Sequence, residues 1–460
     1  MTARARLTGF RNDNPCGAHA AFQVFNEPAH FFRGACHLAP AEQQMETAPL
    51  QFCSLKEKSP VRQDYNSFDR RLPNLTILKR RYYQEPIFAS SLALGCCMKS
   101  LLSLLLPFLL IIAGLAGCGS SVSVSGIING GNGSFVFVAN NNTNSISIFQ
   151  LDKVNGQLTS MGSMATGACT GPRYVDMHPT SNFLFVTCQS SDTVAAFSVT
   201  DSGALMPIGQ PVASGVNPNN FAVDPKGRFL YVPNTGSNTV SAYSIGSDGS
   251  LSEIAGSPFA TGLTPYTAKE SDSGMFLYVT NRDSNNVSVY RIDQSTGGLT
   301  QIPGSPFAAD RGARAIELSG KFAFVANRFA NDVSAFTVDS STGALTEIAG
   351  SPFPSGTDPR SLAADSSGRF LYVANVASND VSAFSVDQTT GSLKAMSGSP
   401  FPVGQAPLGI EIDSQGNFVY VANGSSDNVS VLAIDKTTGK LQSLQTTVTP
   451  GSPVSIALMD

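Results

Sequence analysis

Histidine and charge are what this chain of 460 residues has least of: four histidines, and only 13% Asp, Glu, Lys and Arg together. Three of the histidines precede residue 98, which leaves His178 alone in the rest of the chain. A nucleophilic triad needs an imidazole within hydrogen-bond reach of its nucleophile, so only one residue could serve as that base. Five of the eight cysteines also fall before residue 98. No Cys/His cluster has zinc-ligand spacing and no calcium-loop pattern occurs, so neither a metal nor a cofactor is expected. The net charge is -4 and no basic run interrupts the second half, which argues against nucleic acid as a partner.

What is present is repetition. The tetrapeptide Gly-Ser-Pro-Phe starts at Gly256, Gly304, Gly350 and Gly398, at spacings of 48, 46 and 48 residues. An aromatic phrase such as FVFVAN or FLYVAN starts at Phe135, Phe183, Phe229, Phe276, Phe322, Phe370 and Phe418, seven times in all. Each phrase leads into a polar loop, a second alternating run of the type VSAFSVD, a TTGSL-like turn and a run that ends at or near the tetrapeptide. One further alternating run, introduced in most copies by Gly-x-x-Pro and closed by an Asp-x-x-Gly turn, precedes the next aromatic phrase. Period-two alternation between Gly, Asn, Asp and Ser clusters is the pattern of half-buried antiparallel strands.

Each unit of about 47 residues therefore has four strands, here lettered A (after the proline), B (aromatic), C and D. Seven such units predict an all-β, seven-bladed propeller. The first unit begins at its B strand, and the closing GSPVSIALMD aligns with the A strands. The C-terminal strand is therefore expected to complete the first blade, removing the two open edges that a linear array would leave.

The phrases G-x-L-x-x-I-x-GSPF, D-x-x-G-x-FLYVAN and NDVSAFSVD together resemble the lactonase family of seven-bladed propellers, which includes bacterial 6-phosphogluconolactonases and YVTN-type repeat proteins. The resemblance covers residues 135–460. It implies the propeller fold, and through the family it raises lactone hydrolysis as one activity. The motifs that carry it build blades rather than a site, and fold alone does not assign function.

Residues 98–117 read MKSLLSLLLPFLLIIAGLAG, followed by Cys118. This resembles a bacterial lipoprotein signal peptide with lipid attachment at Cys118, and it implies an exported chain held at the cell envelope. The apolar run Leu101 to Ala116 is short for a span of about 20 residues, and small residues before a cysteine favour cleavage over a transmembrane anchor. Residues 1–97 have no repeat or sustained periodicity and precede a complete start signal, so they are expected to be a mis-assigned upstream segment without structure. A small extra domain is the alternative. Residues 118–134 are expected to be a linker to the propeller.

Ser257, Ser305, Ser351 and Ser399 stand beside glycine in four equivalent blades. They lack the second glycine of a G-x-S-x-G elbow, and a propeller ordinarily has one axial site, so all four are expected to be scaffold. His178 takes the place of Asp224 in the A-to-B turn, on the face away from the D-to-A loops. A site on the ring axis must come from positions where blades differ. In the A strands, the residue after the proline position reads Arg173, Asn219, Tyr266, Arg314, Arg360, Leu408 and Val454. Three residues further on the column reads Asp176, Ala222, Lys269, Glu317, Ala363, Glu411 and Ala457.

This predicts an arginine layer near the D-to-A end and a mostly acidic layer about 10 Å below, at ~3.3 Å per strand residue. Arg282 and Arg328, in B-to-C loops, share the arginine end. A guanidinium fork suits carboxylate or phosphate. Arg173, Arg314, Arg360, Arg282, Arg328 and Lys269 are thus candidate ligands for a small anion, and Asp176, Glu317 and Glu411 candidate catalytic carboxylates. The competing expectation is that the arginines pair with the acids and fill the channel.

Two function classes follow. In one, the mouth binds an anionic sugar-acid-like ligand or an envelope protein. In the other, a carboxylate directs water onto a sugar lactone and an arginine stabilises the oxyanion. Export and the lack of a histidine at the mouth favour binding, and a monomer is expected. Finally, Cys169 replaces the glycine of Gly-x-x-Pro and Cys188 the asparagine that ends strand B, both in one blade. A disulfide between them is expected in an exported protein.

Overall fold

The computed structural model describes residues 133–460. The upstream segment 1–97, the signal peptide 98–117, the lipidation site Cys118 and nearly all of the linker lie outside the described residues.

Seven antiparallel sheets follow one another, each ordered A-B-C-D from the axis outward. In six blades the B strands, such as Phe229–Asn234 and Phe370–Asn375, are buried along their whole length because both faces meet neighbouring blades; in blade two only Phe183 is half-buried. Blade one takes B, C and D from Phe135–Asn140, Ser145–Leu151 and Leu158–Ala165, and its A strand from Pro453–Met459. The ring is closed by that antiparallel pair, in which Phe137 lies opposite Ala457.

A second set of contacts joins the blades. The residue before each C strand is Asn144, Asp192, Asn238, Asn285, Asn331, Asn379 or Asp427, all at positive φ, a conformation that Asn and Asp tolerate better than other side chains. Each of these side chains accepts a backbone N–H from the following blade's D-to-A loop, as in Gly171 N to Asn144 Oδ1 at 2.7 Å and Ala406 N to Asn379 Oδ1 at 2.8 Å. The last, Asp427, accepts from Ser452 and carries the chain of contacts around to blade one. The C-to-D turns add a packing contact: Gly343, at φ +80°, lies against the ring of Phe276 from the preceding blade, where a Cβ would overlap it at 2.5 Å.

Strand D departs from the expected single run. In blades two to six it forms two short pieces, for example Leu251–Glu253 and Phe259–Ala260, both paired with Thr239–Ile245. In blades three to six the serine of the tetrapeptide fills the gap. Ser257 Oγ accepts the Ala242 N–H at 3.0 Å and donates to Glu253 at 2.8 Å. Ser305, Ser351 and Ser399 accept the N–H of Val289, Ala335 and Ala383 in the same way. All four Ser-Pro bonds are cis. The four serines are thus ladder substitutes, and the phenylalanines that follow pack on the inter-blade core.

Strand A of blade three is the other departure. Ala222–Val223 pairs with its own blade, and before it only an isolated bridge at Pro218–Asn234 and the Asn219 N–H to Pro233 O hold the strand there. Asn220 instead exchanges backbone hydrogen bonds with Tyr266 and Ala268 of blade four.

Candidate functional site

Two positions three apart on an ideal strand point to opposite faces. Here a β-bulge intervenes. The register of strand A against strand B shifts just after the proline position, between Pro172 and Tyr174, Ala313 and Ala315, Pro359 and Ser361, and Pro407 and Gly409, with a corresponding shift between Pro265 and Ala268. The extra residue brings both variable columns to the axis, and they form two layers of different chemistry.

The upper layer centres on Tyr266. Arg173 Nη2 and Arg314 Nη2 donate to its hydroxyl oxygen at 2.6 and 2.5 Å, and the Arg314 guanidinium lies 3.8 Å from the ring centroid. Arg173 Nε also donates to Asn219 Oδ1 at 3.2 Å. Arg360 grips Asp358 with two bonds, 2.9 and 2.6 Å, and Arg328 shares the same carboxylate at 2.9 Å. Arg282 pairs with its neighbour Asp283 at 2.8 Å. The half-exposed ring of Phe329 lies within 6 Å of both Arg282 and Arg328.

Arg314 is only 2% exposed and its Nε has no partner; buried Asn219 Nδ2 has none either. Burial works against ionising Tyr266, but Arg173 and Arg314 outweigh it and pull the phenol down to about 8. Burial weighs heavily against the Arg314 charge too, opposed by Tyr266 and reinforced by Arg173 and Arg360. Since a guanidinium stays protonated in proteins, that penalty becomes a demand for negative charge nearby.

The lower layer holds Asp176, Lys269, Glu317 and Glu411. Lys269 Nζ lies 2.8 Å from Glu317. Burial pushes Glu411 up to about 8, with Asp176 adding to the effect. Burial likewise lifts Asp176 to about 6, against the Met177 N–H and Lys269. Lys269 is raised above the usual amine range because Glu317 outweighs its burial. A cavity of about 330 Å³ lies against this layer, walled by all four side chains with Tyr174 and Thr267, and it reaches the A-to-B turns at Pro225 and Ser271.

The expected layers are therefore present, with three changes. Among the described residues the arginines form no ion pair with Asp176, Glu317 or Glu411; their partners are Tyr266, Asn219, Asp283 and Asp358. Lys269, grouped in the sequence with the anion-binding arginines, sits in the acidic layer, because its position on strand A is the lower column. None of the five arginines lines the cavity, which opens toward the opposite end from the D-to-A loops. The repeat pattern gives Tyr266 and Asp358 no role of their own. Tyr266 was the single aromatic in its column, and Asp358 is the single acid at the position before the proline. His178 stands apart from both layers, with Nε2 2.9 Å from Gly227 O and Nδ1 accepting the Thr180 N–H.

Cys169 and Cys188 are joined by a disulfide, with Cα atoms 5.0 Å apart. Cys188 pairs with Pro172 across the A–B ladder, which brings the preceding loop over it.

The model of the family described as lactonase, 7-bladed beta-propeller, matches residues 115–221, 213–308, 301–406 and 400–458. No curated protein matches the chain in sequence. Among solved structures, a periplasmic gluconolactonase from Pseudomonas aeruginosa superposes with a TM-score of 0.63 at 22% identity, over 71% of this chain and 99% of that one. A Bacteroides uniformis protein with a provisional 6-phosphogluconolactonase assignment gives 0.65 at 20%, over 72% and 100%. A Lactobacillus plantarum protein gives 0.64 at 23%, over 71% and 99%. At these identities the superpositions speak to fold.

Proposed function

The chain belongs to the lactonase family of seven-bladed β-propellers, and from that premise we propose that it is an exported, lipid-anchored binding protein whose arginine layer takes a small anionic, sugar-acid-like ligand. The observation that carries this reading is the charge balance of the upper layer. Five guanidiniums, Arg173, Arg282, Arg314, Arg328 and Arg360, face two carboxylates, Asp283 and Asp358, and the most buried of the five keeps an unpartnered Nε. A carboxylate or phosphate near Tyr266 answers both deficits through charge-assisted hydrogen bonds. Export and the lipid at Cys118 rest on the signal-like sequence, and the periplasmic neighbour is in keeping with them.

Calorimetric titration of the purified protein with gluconate and 6-phosphogluconate tests the site. Saturable binding that is lost in Arg314→Gln, with melting temperature kept, is the expected result. A large drop in melting temperature with no binding in the parent protein would mean that the arginines serve only the fold.

Family membership favours a second reading, hydrolysis of a sugar lactone. Asp176, Glu317 or Glu411 would direct the water, and the raised affinity of Glu411 for protons suits a general base or acid near neutrality. No hydrogen bond joins the two layers, so an arginine assists as oxyanion partner only for a substrate long enough to span them. A lactone hydrolysis rate above buffer that disappears in Glu411→Gln selects this reading, and no rate on phosphorylated or plain sugar lactones leaves binding.

A further inference from the structure

The cavity at the other end of the channel has the opposite character to the arginine layer. Its wall carries five carboxyl groups, on Asp176, Glu270, Asp272, Glu317 and Glu411, against one cation, Lys269. Lys269 is already committed to Glu317. The Glu411 carboxyl has the Ile412 N–H beside it, and Asp176 has the Met177 N–H and the Tyr174 hydroxyl, so neither is hydrogen-bonded to a cation.

Two more groups on the same wall lack partners while nearly sealed from solvent. Thr267 is 8% exposed with Oγ1 unpartnered, and Glu270 is 7% exposed with both carboxyl oxygens unpartnered. Each of these groups can accept a hydrogen bond, and with Lys269 committed to Glu317 the wall offers no further cation to donate one.

We propose that this cavity binds a small organic cation carrying ammonium groups, entering from the A-to-B turn face and independent of the arginine layer. Lys269 shows the mode of recognition, a primary ammonium 2.8 Å from a carboxylate in the same cavity. A volume of about 330 Å³ sits at the lower end of the ~300–1,000 Å³ typical of small-molecule sites, which suits a short diamine. An anion meets net negative charge. A neutral polyol leaves that charge uncompensated. A bare metal ion is disfavoured because no three acidic or imidazole groups among the described residues converge at ligand spacing.

The groups facing Glu411 are Asp176 and Tyr174 from blade two, Lys269 from blade four and Glu317 from blade five, while Glu270 lies on the same wall beside Asp224. A bound ammonium stabilises the charged forms of Glu411 and Asp176, both of which burial holds partly protonated near neutrality. Binding then releases protons, and affinity rises with pH.

Putrescine is the probe, titrated calorimetrically into the full protein in buffers of differing ionisation enthalpy. The expected result is saturable binding with proton release, and a Kd that falls by up to about tenfold per pH unit between pH 6 and 8. Glu411→Gln should weaken binding about tenfold or more and flatten the pH dependence, Asp176→Asn should weaken it at constant fold, and Arg314→Gln should leave it unchanged. That last variant separates this site from the anion site, whose failure would not touch the putrescine result. Absence of saturable putrescine binding, binding indifferent to both carboxylate variants, or uptake of calcium or glucose in its place would each overturn the proposal.

Discussion

The A and B strands of one blade lie side by side and obey different rules. Across seven blades the B strands are nearly interchangeable: a phenylalanine first, an aromatic third, valine fourth, and asparagine last in six of them. The A strands share a proline position and little else along the axis. Uniform strands make the inter-blade core, where any copy meets the same neighbours, whereas the axis is met once by each blade and can be furnished seven different ways. A ring of repeats thus separates stability from chemistry by radius.

Blade two shows the rule from its exception. In the regular blades the glycine of Gly-x-x-Pro faces the asparagine of strand B so closely that a Cβ would meet it at 2.5 to 2.7 Å, as at Gly356 with Asn375 and Gly215 with Asn234. That asparagine donates to a serine on strand C, Asn375 to Ser382 at 2.9 Å. Blade two changes all three positions, to Cys169, Cys188 and Ala195. Where glycine and asparagine touch elsewhere, two sulfurs are bonded here.

The largest effect that sharpens the contrast lies in strand B. Tyr372 is fully buried and its hydroxyl donates to Gly439 O at 2.8 Å. Tyr372→Ala should cost about 4 kcal/mol in urea unfolding, as large-to-small aromatic changes in cores do. The folded fraction should still bind sugar acid, which is the reverse of the Arg314→Gln pattern.

Next comes the covalent link. Cys169 and Cys188 are 19 residues apart, and opening a loop of that size costs about 3 kcal/mol in the chain-entropy model. Reduction, or Cys188→Ser, should lower the free energy of unfolding by about that amount. Restoring the regular pattern with Cys169→Gly, Cys188→Asn and Ala195→Ser together should recover part of the loss. Two thiols that react with a labelling reagent in the folded, unreduced protein would count against the bond.

The smallest effect, taken per pH unit, concerns Glu270, an A-strand acid whose carboxyl oxygens have no hydrogen-bond partner. Burial, aided by Asp224, raises its carboxyl to about 9 from an unfolded value near 4.5. The folded state then holds a proton that the unfolded state has lost, so this group's contribution is intact below about pH 4.5 and erodes as pH climbs toward 9. The slope should be no more than about 1.4 kcal/mol per pH unit. Melting curves at successive pH values should shift downward in the parent protein and flatten in Glu270→Gln.

Blade number, strand order and ring closure were legible because they repeat, and seven noisy copies of one pattern leave little room for error. The two axial layers were legible too, though for an incomplete reason. Counting alone would send Arg173 and Asp176 to opposite faces, and the bulge that reunites them leaves no residue signature. The partners of the arginines were not legible, since Arg173 reaches past Asn219 to Tyr266, two blades away, and only the ring's curvature brings them together. The split of strand D was hidden because a serine side chain replaces ladder bonds that the alternation pattern takes for granted.

The closing strand has a consequence for how the protein is made. Phe137 finds its neighbour Ala457 about 320 positions later, so while blades two to seven can form in order as the chain emerges, the first blade keeps a bare flank until the final residues arrive. Contacts of such separation form slowly, and an open sheet edge recruits other chains in the meantime. That flank stays open for the whole interval between the first blade's synthesis and the arrival of Pro453–Met459, which makes the closing strand the timer of the ring's assembly.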